Sequence, residues 1–230
     1  PAMAPPNGRK VAIIGAGPGG LACADELTRR GYAVTVFDSR KIPGGLLVYG
    51  TPAFRLEHAI VRRRLQQLEQ RGVVFNMGAE FTRDALQADL MARFDAVYLG
   101  FGLKKARDLD VPGANLKGVE QALPFLVQSD MDLPREAPVI DVTGQRVVVI
   151  GGGDMAIDCL RTAVRGHAKE VLGIYRRDEA SMPCSRRELE NAVEEGVWFE
   201  FQAAPVALLD DDSGAVRGLR LVRTTLGAPD

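Results

Sequence analysis

A unit of strand, glycine turn, helix and second strand occurs twice in this chain, 136 residues apart, and it limits the possible folds more than any other feature. The first copy has an apolar strand from Lys10 to Ile14 and the turn G-A-G-P-G-G from Gly15 to Gly20. A helix follows from about Pro18 to Arg30, then a strand from Ala33 to Phe37. The second copy has a strand from Arg146 to Ile150, the turn G-G-G-D-M-A from Gly151 to Ala156, a helix to about Arg165 and a strand from Glu170 to Tyr175. Each is the opening of a βαβ unit. The fold class that follows is α/β with two Rossmann-like dinucleotide-binding domains.

The chemistry of such a turn is that of a helix amino terminus. Unpaired backbone N–H groups and the helix dipole attract a diphosphate, provided no side chain stands between backbone and ligand. In the first turn Gly15 permits the tight bend, Gly17 lets the diphosphate approach and Gly20 lets the helix pack on the strand. Ala16, Pro18 and Gly19 complete the loop. Asp38 ends the next strand 23 residues after Gly15, with Ser39 beside it. A carboxylate there accepts hydrogen bonds from adenosine ribose hydroxyls and repels a 2′-phosphate, so FAD or NAD is expected and NADP is not.

The second turn keeps Gly151, Gly152 and Gly153 but has Ala156 where the first has its third glycine, with Asp154 and Met155 between. Where the first unit ends its second strand on an acid, this one has Arg176 and Arg177. Guanidinium groups form charge-assisted, often bidentate bonds with phosphate, so NADP is expected over NAD, which stays possible. Arg186 and Arg187 are weaker candidates for the same phosphate. Asp154 is expected first as a side-chain cap of its helix, and second as a contact to the nicotinamide end.

Between the two copies, Arg55 to Arg71 has helical periodicity, with Arg62, Arg63 and Arg64 on or beside its wet face. Val73 to Phe75 and Ala96 to Leu99 are expected strands, and Val119 to Val127 a short helix. Pro134 to Gly144 is the best linker, which divides the chain into a domain of residues 1–140 and another of residues 141–230. Beyond the second copy, Ser185 to Glu195 is an expected helix. Val197 to Phe201, Val206 to Leu209 and Val216 to Val222 are expected strands, with a turn at Asp210 to Gly214.

Composition removes other classes of function. Lysine plus arginine number 29 against 30 aspartate plus glutamate, so no net field favours nucleic acid or an anionic membrane. No apolar run spans a bilayer and no secretory signal opens the chain, so a cytoplasmic location is expected. Cys23, Cys159 and Cys184 are too scattered for a metal site, a cluster or a redox pair. His58 and His167 stand near no nucleophile motif and are expected at helix surfaces or ends. No catalytic acid or base is assigned.

After Asp38, the stretch G-G-L-L-V-Y-G-T-P-A-F-R-L from Gly44 to Leu56 resembles the flavin loop of the glutamate synthase small subunit and its relatives. So do F-D-A-V-Y-L-G-F-G from Phe94 to Gly102, A-L-P-F-L from Ala122 to Leu126 and Y-R-R-D-E-A-S-M-P from Tyr175 to Pro183. The resemblance spans about Lys10 to Val222. It implies FAD along Gly15, Gly17, Gly19, Gly20 and Asp38, with Gly44, Gly45 and Leu46 approaching the flavin and Gly102 passing close to it. It further implies hydride transfer from NADPH to FAD, and electrons leaving to a larger catalytic or iron–sulfur partner subunit. Relatives add cysteine-rich and carboxyl-terminal segments not found here, so the resemblance implies part of a longer polypeptide with an incomplete FAD domain. Two alternatives stand beside it: an NAD(H)-linked reductase subunit of another ferredoxin, aldehyde or pyrimidine oxidoreductase complex, and a non-catalytic nucleotide-binding subunit.

Overall fold

Both glycine turns lie at the carboxyl end of the first strand of a parallel sheet, and each sheet belongs to its own unit. The computed structural model describes residues 3–82, 90–103, 106–129, 133 and 140–227. The chain divides into two compact units, Pro1–Lys104 and Lys105–Asp230.

In the first unit the elements run β1 (Lys10–Ile14), α1 (Pro18–Arg29), β2 (Ala33–Asp38), α2 (Leu46–Tyr49), α3 (His58–Gln70), β3 (Val74–Met77), α4 (Met91–Arg93) and β4 (Ala96–Leu99). The four strands are parallel in the order β3-β2-β1-β4. The order reverses at β1, which opens a crevice beyond its carboxyl end, where open α/β sheets bind ligands. Ala12 and Ile13 of β1 are fully buried because the strand is paired on both edges and covered on both faces. Helix α1 turns Leu21, Ala24 and Thr28 inward. Its buried Asp25 forms ion pairs with Arg29 at 2.7 Å and with Arg64 of α3 at 2.7 Å, and it also accepts from Arg71. Arg62 and Arg63 are exposed as expected, whereas Arg64 is corrected: it ties α3 to α1.

The second unit contains α5 (Ala122–Ser129), β5 (Arg146–Ile150), α6 (Asp154–Arg165), β6 (Glu170–Tyr175), α7 (Arg186–Glu194), β7 (Trp198–Phe201), β8 (Ala203–Asp210) and β9 (Val216–Arg223). Strands β5-β6-β7 form a parallel sheet, and β8 and β9 a separate antiparallel hairpin. Phe125 and Leu126 of α5 share a core with Ile157 and Leu160 of α6, Leu189 of α7 and Val197. That shared core explains why the chain divides at 104/105, while the sequence alone suggested 140/141. Residues 134–139 of the expected linker lie outside the described residues.

Strand β8 begins at Ala203, three residues before the expected start. Proline cannot donate to a ladder, and the pairing shifts register between Pro205 and Ala207 to accommodate it. Among the described residues, no helix is long and apolar enough to cross a membrane, and no group of three or more His, Cys, Asp or Glu residues could hold a metal. A surface hollow of about 480 Å3, lined by residues including Lys10, Ala33, Gly72 and Arg93, sits at the amino ends of the first sheet's strands, away from the glycine turn.

Candidate dinucleotide-binding sites

The first turn is built from backbone packed on backbone. Gly15 has φ +109°, and a Cβ there would lie 2.4 Å from the carbonyl oxygen of Gly100. A Cβ on Gly20 would lie 1.9 Å from the carbonyl oxygen of Gly15, which is the close helix-to-strand approach expected of the third glycine. Gly17 differs: a Cβ there would meet only Gly45 Cα, at 3.9 Å, so its outer side is open. Pro18 takes the first helical position, where the lost N–H would have had no partner in any case.

The loop after β2 closes onto this turn. Gly44 N–H donates to the Ala16 carbonyl at 2.8 Å, and Gly45, at φ +54°, would place a Cβ 2.6 Å from Gly17 Cα. Two segments named separately from the sequence, Gly15–Gly20 and Gly44–Leu46, are thus one surface. Leu46 opens α2 and is exposed, and Ser39 is half-buried. Asp38 sits at the carboxyl end of β2 and accepts from Ala16 N–H at 2.8 Å through Oδ2 and from Arg40 N–H at 2.9 Å through Oδ1. Its carboxylate therefore braces the turn and still has lone pairs for a ribose. Gly102 has φ +66°, and a Cβ on it would meet nothing within 4 Å, whereas Gly100 is the glycine that packs against Gly15. Gly100 was not singled out from the sequence, although the same G-F-G triplet contains it.

In the second turn Gly151 has φ +143°, and a Cβ on it would stand 3.4 Å from Cβ of Ala156. Alanine thus fills the contact that the third glycine makes in the first turn. Gly152 is covered by the Tyr175 ring, which a Cβ would meet at 2.6 Å. Gly153 caps α6 with its backbone and would have nothing within 4 Å of a Cβ, leaving the helix start open. Met155, 42% exposed, flanks that opening. Asp154 is corrected: no side-chain cap forms on α6, and Asp154 Oδ1 accepts instead from Ser185 N–H at 3.0 Å, just before α7.

The arginine loop is held at several points. Tyr175 Oη donates to the Ser181 carbonyl at 2.9 Å, and Asp178 accepts from Ser181 N–H at 2.9 Å. The Arg176 carbonyl accepts from Thr224 Oγ1 at 2.5 Å and that of Arg177 from Gln202 N–H at 2.9 Å. Gln202 holds φ +52°, a strained value for a residue with a side chain. The side chains of Arg176 and Arg177 are exposed and make no ion pair among the described residues. Arg186 is engaged with Glu179 at 2.5 Å and Glu190 at 3.3 Å, so of the two weaker candidates only Arg187 has no ion pair among the described residues.

Behind this loop, α7 is clamped to α6. Arg161, 6% exposed, donates through Nη1 to Glu188 at 2.5 Å and through Nη2 to Glu195 at 2.7 Å, and Arg165 joins Glu195 at 2.8 Å. Burial alone would push Arg161 down, but its bonds to Glu195 and Glu188 more than offset this and raise its pKa. On Glu195 burial works in the opposite direction, upward, and the bonds from Arg161 and Arg165 outweigh it, holding this carboxyl below its ordinary value. All three cysteines are free thiols. Burial, with the Asp158 charge second, pushes Cys159 up to about 12, and burial also raises Cys23 and Cys184, so none favours a nucleophilic thiolate.

Two open helix starts on parallel sheets, each following a glycine-lined strand end, define a two-dinucleotide architecture. The chain belongs to the pyridine nucleotide-disulphide oxidoreductase family, which it matches over residues 9–227. Within that family it is similar to the NADPH glutamate synthase small chain of Escherichia coli (strain K12), 46% identical over 229 residues that make up 97% of this chain and 48% of that protein. It is 39% identical to the beta subunit of the NADP(+)-dependent formate dehydrogenase of Moorella thermoacetica, covering 97% of this chain and 31% of the subunit. Among solved structures, FprA from Mycobacterium tuberculosis in complex with NADPH superposes with a TM-score of 0.72 at 18% identity, covering 97% of this chain and 70% of that one, a likeness of fold. The chain spans about half the length of the glutamate synthase small chain it matches.

Proposed function

We propose that this chain supplies the two nucleotide-binding units of a flavin-dependent NADPH oxidoreductase, with FAD at the Gly15 turn and NADPH at the Gly151 turn. The observation that carries this is the opposite chemistry at the two ribose ends. Asp38 presents a carboxylate beside the first turn, and Arg176 and Arg177 present exposed guanidinium groups with no ion pair among the described residues beside the second. Gly17 and Gly153 have the clearance that a diphosphate on bare backbone requires. By function the domains are residues 1–140 for FAD and 141–230 for the nicotinamide cofactor, with α5 (Ala122–Ser129) packing beside the latter.

The bound cofactors supply the redox chemistry, a hydride passing from nicotinamide to flavin, and the protein's share is binding, orientation and exclusion of water. No side chain is required as a general acid or base. Asp38 braces the first turn through Ala16 N–H, Gly44 and Gly45 close the loop over it, and Tyr175 shields Gly152. Electrons then leave to a larger partner subunit, by similarity the glutamate-forming subunit that the E. coli small chain's name implies. The formate dehydrogenase relative supports a second reading in which the same module serves another acceptor complex.

The test is anaerobic addition of NADPH to the full-length protein while its flavin absorption is followed. Bleaching is expected; an unchanged band would leave a nucleotide binder without turnover. The Arg176→Ala, Arg177→Ala double variant should weaken NADPH by about tenfold or more, the scale of a lost charge-assisted phosphate bond, and change NADH little.

A further inference from the structure

The buried Arg161 lies within α6, beyond its first turn at Asp154, and its ion pairs with Glu188 and Glu195 tie it to the phosphate end of the second site. Glu188 and Glu195 are seven residues apart, about two helical turns, so one guanidinium grips the first turn of α7 and the residue that closes it. Apolar contact through Leu189 and Ala192 already seats α7 on the core. Such contact tolerates sliding, whereas a forked guanidinium bonded at two points does not. A buried ion pair adds little net stability over an apolar substitute, and fixing one packing register is a recognised use for one.

What α7 delivers at its amino end is a second anchoring set. Ser185 N–H reaches Asp154 Oδ1 on the glycine turn, Arg186 reaches Glu179 in the arginine loop, and Arg187 is left exposed without an ion pair among the described residues. A shift of α7 along α6 would break both anchors and carry Arg187 with it.

Building on the assignment of NADPH to the second turn, we infer that Arg161 is a positioning residue for cofactor specificity. By fixing the register of α7 it places Arg187 as a third guanidinium for the 2′-phosphate, beside Arg176 and Arg177, while Arg186 serves only as the lock on Glu179. The contribution is to discrimination between NADPH and NADH, because only NADPH carries the 2′-phosphate that Arg187 would meet.

The experiment measures NADPH and NADH affinity by calorimetry on the full-length protein, for wild type, Arg161→Met and Arg187→Ala. Each variant should lose about tenfold or more in NADPH affinity and less than about twofold in NADH affinity. Glu195→Gln, which keeps the Glu188 half of the clamp, should show a smaller loss in the same direction. If Arg161→Met does not fold, the ratio measured on Glu195→Gln decides. Equal losses for both nucleotides, or an undiminished NADPH preference in Arg161→Met or Arg187→Ala, would overturn the inference while leaving the second turn as the NADPH site. A wild-type protein with no NADPH preference would overturn the site assignment itself, and the inference with it.

Discussion

Glycine serves two different ends in these turns, close packing at one position and clearance at another, and a single methyl group separates the cases. At Gly20 a Cβ would meet the Gly15 carbonyl at 1.9 Å and Ile13 Cγ2 at 3.2 Å, so Gly20→Ala must move helix from strand. It is expected to destabilise the first unit by about 1–3 kcal/mol, the scale of overpacking, with loss of FAD, measured by thermal melting and flavin content. At Gly153 nothing lies within 4 Å, and φ is −86°, where alanine is comfortable. Gly153→Ala should cost at most about 1 kcal/mol, the scale of placing alanine at an N-cap, yet weaken NADPH severalfold, because its methyl stands where a diphosphate approaches. A melting point that falls as far for Gly153→Ala as for Gly20→Ala would contradict this division. The tight bend at Gly15 and the helix-to-strand packing at Gly20 were legible from their order in the motif. Gly100 was not, because its closeness to Gly15 arises from the pairing of β1 with β4, which no local pattern reveals.

At the scale of elements, α6 and α7 are held by charge as well as by apolar packing, and this makes their association sensitive to acid. The Glu195 carboxyl is held below its ordinary value of 4.5 by the bonds from Arg161 and Arg165, which outweigh the effect of its burial. A carboxyl with a depressed folded pKa contributes stability that is present above about pH 4.5 and is lost as pH falls through the folded value. Glu195→Gln should therefore be less stable than wild type at pH 7, with the gap closing below about pH 4.5. Urea midpoints at the two pH values check it, and a gap that stays constant would show that the ionised carboxyl is not the cause. The helices themselves were visible in the periodicity of the sequence, as were β1, β2, β5 and β6. The start of β8 was not, because Pro205 argues locally against a strand, and a register shift in pairing with β9 rescues it.

For the molecule as a whole, two self-contained sheets imply two independently protected regions. Ligand binding to a native unit stabilises it by mass action, about 2.7 kcal/mol at a hundredfold excess over Kd. FAD should then slow amide hydrogen exchange chiefly at residues 10–100, and NADP+ chiefly at residues 146–227, of the full-length protein. Protection of both regions by either nucleotide alone would contradict separate sites. The order of residues determined the α/β class, both turns and the acid and arginines at their strand ends, because a strand, a tight bend and a helix are written in local periodicity and glycine placement. The tertiary structure decided which side chains already have partners: Asp154 bonded to Ser185, Arg186 to Glu179, Arg64 to Asp25, and Arg161 gripping both ends of α7. Those choices depend on distances between helices and loops far apart along the chain, set by packing of the whole core, and charge type alone cannot rank one arginine above its neighbour.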